Sequence, residues 1–171
     1  METELKTAHD AQMAIMPNCD PIVRGLDISG VCVPANDVGG DFFDYLWLDE
    51  QKKHFGIAVG DVSGKSMKAA MTAVMSNGII VSKTFETCSV KDIMNRINKP
   101  LYLKTGKQVF TTLCLLSIDL ETREMKFSNA GLNPPLLKSG RSLKKLPGAG
   151  TRLPLGITWD IDYQEKSVRL M

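Results

Sequence analysis

Val38-Gly39-Gly40-Asp41-Phe42-Phe43-Asp44 and, one hairpin later, Ala58-Val59-Gly60-Asp61-Val62-Ser63-Gly64-Lys65 decide how this chain is read. Each sets an Asp beside glycines at the edge of an apolar run. Phe42 to Leu48 has the character of one strand and Phe55 to Val59 of the next, and the polar Asp49-Glu50-Gln51-Lys52-Lys53 between them is a turn. Strands joined by so short a turn pair antiparallel. That pairing brings Asp41, at the start of one strand, beside Asp61, at the end of the other. The glycines keep side chains clear, so a cation or a phosphate can come close to the backbone.

Gly60-Asp61-Val62-Ser63-Gly64-Lys65-Ser66 also ends like a phosphate-binding loop. Such a loop needs four residues between its glycines, and here only three separate Gly60 from Gly64, with Val59 at the required position. An Asp inside it would repel the phosphates that backbone N–H groups should cradle. Two readings of the aspartates remain. They either cap turns, or they supply hard oxygen ligands suited to Mg²⁺ or Mn²⁺.

The rest of the chain follows in order. Leu5, Ala8, Gln12, Ile15 and Met16 recur at helical spacing and Pro17 ends the run, so residues 4–16 are a short amphipathic helix. It either packs on the domain or ends a linker that pairs with a second copy. Leu26 to Val33 reads as a first strand stopped by Pro34. From Ser66 the period changes, and Met67, Ala70, Met71, Val74, Met75, Gly78 and Ile79 form a long apolar stripe that is expected to be core. Ser89 and Asp92 resemble a capping box opening a second helix that buries Val90, Ile93, Met94 and Ile97, with Pro100 expected to kink or end it and Gly106 closing the segment. Val109 to Leu120 is apolar on both faces, as a covered central strand should be, and a partner follows with Met125 and Phe127 on one side. A short strand at Leu136–Lys138 and the beginning of another at Ser167–Met171 complete the pattern. Strands, two helices, then strands predict an α+β fold of antiparallel sheet layered with helices.

Composition sets the outer bounds. The chain has 171 residues, 43% hydrophobic and 23% charged, which suits one globular domain with a real core. A net charge of +2 argues against nucleic acid or an anionic membrane as partner. No apolar run reaches the roughly 20 residues that cross a bilayer, and the N-terminus lacks the apolar centre of a signal peptide. Cys19, Cys32, Cys88 and Cys114 form no C-x-x-C pair and read as reduced thiols of a cytoplasmic protein.

Five ordered strings carry a family resemblance. Pro34-Ala35-Asn36-Asp37-Val38-Gly39-Gly40-Asp41-Phe42-Phe43-Asp44, Gly60 to Lys65, Phe110-Thr111-Thr112-Leu113, Ser128-Asn129-Ala130-Gly131-Leu132-Asn133-Pro134-Pro135 and Leu153-Pro154-Leu155-Gly156 resemble successive motifs of one branch. That branch is the SpoIIE/RsbU-like group of the PPM metal-dependent serine/threonine phosphatases. The resemblance implies an α-β-β-α sandwich with two Mn²⁺ or Mg²⁺ ions at one end of the sheets. It implies Asp61 bridging both ions, the Val62 carbonyl on one of them, Asp41 acting on that ion directly or through its waters, and Asp44 as a supporting residue behind them. It implies a phosphoserine or phosphothreonine on a regulatory protein, such as an anti-sigma factor antagonist, as substrate. Residues 1–17 resemble a linker helix that mediates dimerisation, ahead of a phosphatase domain over 18–171.

Three departures accompany the likeness. Ser66 stands where a second glycine is usual, and Leu132 where the loop usually carries histidine. The family's later Gly-Asp and Thr-Asp-Gly motifs do not occur, so the chain is expected to be a C-terminally incomplete domain with a weak second metal site, low activity and sheet edges open to pairing. Asp160 and Asp162 sit in no such motif and are expected to be solvated. A catalytically inactive relative that serves as a partner-binding module is the alternative.

Overall fold

A computed structural model describes residues 2–34, 38–64, 66–106 and 108–170. The elements are α1 (Glu2–Met13), β1 (Asp41–Trp47), β2 (His54–Val62), α2 (Ser66–Thr84), α3 (Val90–Thr105), β3 (Thr111–Asp119), β4 (Glu124–Ala130), β5 (Leu136–Ser139), β6 (Ser142–Lys145) and β7 (Lys166–Arg169). Five strands form one antiparallel sheet in the order β1-β2-β3-β4-β7, and β5 and β6 form a separate hairpin. The class is α+β, antiparallel sheet with helices, as the strand–helix–strand order predicts.

Alternation along the strands separates two apolar layers. Phe42, Leu46, Ala58, Val62, Leu113, Leu115 and Ala130 face α2 and α3 and join Ile80, Ile93, Met94, Ile97 and Leu101 in the larger core. The opposite face is covered over β3 and β4, where Ile118, Met125 and Phe127 pack with Leu137 and Leu146 of the β5–β6 region. β3 lies at the centre of the sheet, which is why its sequence is apolar on both sides.

Helix α3 starts where the capping pattern places it: Ser89 is extended (φ −74°, ψ 118°) and its side chain accepts from the Asp92 N–H. Pro100 does not end the helix, which runs on to Thr105 with Gly106 at its C-cap, where the sequence closes the segment. A proline inside a helix costs about 3 kcal/mol. Burial of Ile97 and Leu101 on either side offsets that cost. So does Asn98, whose amide donates to the carbonyls of Thr158 and Trp159 and accepts from the Gly156 N–H.

Two expectations need correction. Leu26–Val33 is not a strand, and only a single bridge, Val23 with Leu26, marks its start. The segment lies across the face of β1 instead of pairing along its edge. The Gly30 N–H is taken by the Asp20 carboxylate at 2.9 Å, and a Cβ at Gly30 would lie 2.3 Å from the Tyr45 hydroxyl. Val31 and Val33 are left exposed.

The stripe on α2 is also rotated from its expected position. Met67, Met71 and Val74 are exposed, while Ala69, Ala70, Ala73, Ser76, Asn77 and Ile80 are buried. Small side chains let the helix approach the sheet closely, and the Ser76 hydroxyl and the Asn77 amide nitrogen on that face find partners. Ser76 bonds to the Thr111 hydroxyl, and the Asn77 amide donates to Asp44 and to the Ile15 carbonyl.

Candidate active site

The β1–β2 register pairs Asp41 directly with Asp61. Both side chains belong to the sheet face opposite the helices, because Phe42 and Val62, their neighbours in sequence, are buried in the helix-side core. Burial, the charge of Asp41 and a hydrogen bond with the Asp41 carboxylate hold the Asp61 carboxyl above the usual carboxylate range. Two acids in contact cannot both ionise without cost. Such a pair has a ready use for a cation.

Glycine makes the geometry possible at two positions. A Cβ at Gly40 would lie 2.3 Å from the Val62 carbonyl oxygen and 3.1 Å from Asp61 Oδ1, so only glycine leaves that space open. A Cβ at Gly60 would lie 2.4 Å from the Phe42 ring. The Gly40 carbonyl accepts from the Val62 N–H at 3.1 Å, and Thr112 Oγ1 donates to the Asp61 carbonyl at 3.0 Å. The strand end bearing Asp61 and Val62 is therefore braced from both sides.

The other motifs meet at the same end of the sheet. Ser63 and Phe110 exchange two hydrogen bonds, the Phe110 N–H donating to Ser63 Oγ at 2.9 Å and the Ser63 N–H to the Phe110 carbonyl at 2.9 Å. Thr111, paired with Val62, also pairs with Leu155. A cavity of about 460 Å³ opens beside the two aspartates, walled by Phe43, Tyr45, Ile57, Val59, Leu132 and the 28–33 segment. Cys32 lies in that wall, and burial together with Asp41 pushes its thiol pKa up.

Asp44 is placed elsewhere. It is three residues from Asp41, so the pleat turns it to the helix side. There it accepts from the Tyr45 N–H at 2.8 Å and the Asn77 amide at 3.1 Å. Burial raises its pKa against those two bonds. It supports the pair only through the backbone of β1. Asp160 and Asp162 are exposed, and Asp162 lies 3.6 Å from Lys91, in keeping with their expected solvation.

Sequence reading passed over Gln12. This α1 side chain is 2% exposed, and both ends of its amide bond to the backbone of Gly39. The available signal was a polar residue at a buried position of an amphipathic helix. α1 itself packs on its own domain, with Met13, Ile15 and Met16 against the larger core. β1 thus carries one member of the acidic pair on one face and Asp44, bonded to α2, on the other, and the residue two before it is held by α1.

The donor set of the pair suits a hard divalent cation: two carboxylates and a peptide carbonyl, left open by a glycine cradle. Residues 51–171 match the family model described as Stage II sporulation protein E (SpoIIE). The phosphoserine phosphatase RsbU of Bacillus subtilis (strain 168) is 22% identical over 165 residues, covering 96% of this chain and 48% of the relative. The chain therefore spans about half of that protein's length. The PP2C phosphatase domain of SpoIIE from Bacillus subtilis, solved with a fragment of its regulatory domain, superposes with a TM-score of 0.67 at 25% identity, over 78% of this chain and 39% of that one. The SiaA-PP2C domain of Pseudomonas aeruginosa gives 0.80 at 22% identity over 99% and 67%, a likeness of fold. With the described parts of its five motifs gathered at one sheet end and its family match across most of the sheet, the chain belongs to the SpoIIE family of PP2C-type phosphatases.

Proposed function

We propose that this chain forms the catalytic part of a phosphoserine or phosphothreonine phosphatase acting on a regulatory protein, for example an anti-sigma factor antagonist. The observation that carries the reading is the Asp41–Asp61 rung with the Gly40 cradle beside it. Asp61, Asp41 and the Val62 carbonyl would hold Mn²⁺ or Mg²⁺. When bound, such ions supply a water of lowered pKa and Lewis-acid stabilisation of phosphoryl oxygens.

The chain's own residues do the rest. Gly40 keeps the space between the Val62 carbonyl and the Asp61 carboxylate free, and Thr112 fixes the Asp61 backbone. The apolar wall of the adjoining cavity offers a surface to residues flanking the phosphorylated side chain. Leu132 brings no proton-transfer group to that wall. Asp44 acts at a distance, by holding β1 against α2 through Asn77. RsbU is a phosphoserine phosphatase by name, and that likeness supports the same substrate class here. A partner-binding module without hydrolysis has no use for two carboxylates held side by side, and is the less supported reading.

The test is hydrolysis of a phosphoserine peptide across a Mn²⁺ titration, with Asp61→Asn as control. Metal-dependent turnover that disappears in the variant is expected. Turnover that survives in Asp61→Asn would overturn the assignment of the pair.

A further inference from the structure

Resting on the reading of Asp41 and Asp61 as the cation-binding pair, we infer that Gln12 is a positioning residue for that pair. Its amide fixes the backbone leading into Asp41, so that docking of α1 and binding of a divalent cation assist one another. Gln12 Nε2 donates to the Gly39 carbonyl at 2.7 Å, and the Gly39 N–H donates to Gln12 Oε1 at 3.1 Å. The side chain thus satisfies both backbone groups of one residue, as a neighbouring strand would.

The position has consequences. Gly39-Gly40 is the most conformationally free dipeptide a chain can hold, so a fixed approach to Asp41 must be imposed from outside. On one side the Gly40 carbonyl is held by the Val62 N–H, and on the other Gly39 is held by Gln12. Nothing else between residues 38 and 41 is needed to transmit the constraint, because Asp41 is two residues beyond the clamp. The clamp itself is buried: Gln12 is 2% exposed, and a buried amide without partners is costly, which ties its burial to the Gly39 contact.

Two further contacts keep α1 in place beside it. The Asn77 amide donates to the Ile15 carbonyl at the end of the helix as well as to Asp44, and Met16 lies in the larger core. Coupling of two binding events is reciprocal and usually amounts to about 5- to 150-fold in affinity. Anything that lifts α1 from its seat therefore loosens Asp41, and a cation on the pair tightens α1.

The experiment uses the full chain with Mn²⁺ alone as probe. Calorimetric titrations compare wild type, Gln12→Met, Gln12→Glu, Met16→Ala and Asp61→Asn. Amide hydrogen exchange at Gly39–Asp41 is followed in the metal-free proteins. Gln12→Met keeps the volume and removes both bonds; Gln12→Glu keeps an acceptor and loses the donor. Both are expected to weaken Mn²⁺ by about fivefold or more, and Gln12→Met, which also loses the acceptor for the Gly39 N–H, is expected to speed exchange at Gly39–Asp41 more than Gln12→Glu does. Met16→Ala, which loosens the seat of α1 but leaves the Gln12–Gly39 bonds in place, is expected to shift affinity and exchange in the same direction but by less than Gln12→Met.

Unchanged Mn²⁺ affinity and unchanged exchange in both Gln12 variants would overturn the inference. So would a Gln12→Met protein whose losses are no larger than those of Met16→Ala, since the amide would then have no role of its own. If wild type bound Mn²⁺ no better than Asp61→Asn, the functional reading would fall instead, and exchange at Gly39–Asp41 would still decide whether Gln12 fixes the segment.

Discussion

Gly39 and Gly40 stand side by side, yet the structure predicts opposite outcomes for the same substitution. A methyl at Gly40 would meet the Val62 carbonyl oxygen at 2.3 Å, the Val62 nitrogen at 3.1 Å and Asp61 Oδ1 at 3.1 Å. Two of the three obstacles are backbone atoms of a strand braced by Thr112, so no rotamer change relieves them. Overpacking of this kind costs about 1–3 kcal/mol. The larger penalty is functional, because β1 must move away from the Val62 carbonyl, and a misplacement of about 1 Å at a reacting centre can cost on the order of 100-fold in rate. At Gly39 the nearest atom to a new methyl is the Asp41 nitrogen at 4.0 Å, in open space. Gly39→Ala is expected to fold normally and to retain Mn²⁺-dependent turnover within a few-fold. Gly40→Ala is expected to lose about 100-fold or more in kcat/KM, with a lowered Tm. The assay is phosphoserine peptide hydrolysis alongside thermal unfolding of both variants. Equal damage from both, or an unimpaired Gly40→Ala, would refute the cradle.

Two more predictions concern the helix side of the sheet. Burial raises the pKa of Asp44, so the folded state binds that proton more tightly than the unfolded chain does; its contribution to stability is full below the unfolded pKa and is lost as pH rises through the folded value. Asp44→Asn, which still accepts from Asn77, should therefore raise Tm at pH 7 relative to wild type, with the gain shrinking toward pH 3; a loss at pH 7 would show that the ionised carboxylate is needed. On α2, exposed Met71→Glu should change stability by no more than about 0.5 kcal/mol, whereas Ala73→Leu, at a position with no exposure, should cost about 1–3 kcal/mol. Denaturant unfolding of the two proteins checks the rotation of the helix.

The acidic pair was legible because local signals sufficed for it. A short polar turn between two apolar runs sets an antiparallel hairpin, and the observed register joins Asp41 to Asp61 without a slip. The Ser89 cap was legible for the same reason, since one side chain and one N–H three residues on define it. What failed depended on which neighbour a segment meets. Leu26–Val33 alternates like a strand, but alternation does not distinguish pairing along an edge from lying across a face. On α2, hydropathy favoured the methionines, while close approach favoured Ala69, Ala70 and Ala73. β6 gave no signal because all four of its residues are exposed, and it is held only by β5.

The same dependence on neighbours explains the places of Asp41 and Asp44. The pleat sends residues an odd number apart to opposite faces, so one motif supplies two jobs. Asp41 meets Asp61 where the sheet is open, and Asp44 meets Asn77 where it is covered. Asn77 in turn holds Ile15, and Gln12, a turn earlier on the same N-terminal segment, holds Gly39. The path from Asp44 through Asn77 and the N-terminal segment back to Gly39 is closed, with Asp41 inside it. A site built from two carboxylates on a glycine-rich strand end has little rigidity of its own. In this fold that rigidity is borrowed from α1 and α2, which is why the residues that hold the helices lie within the motif that bears the acids.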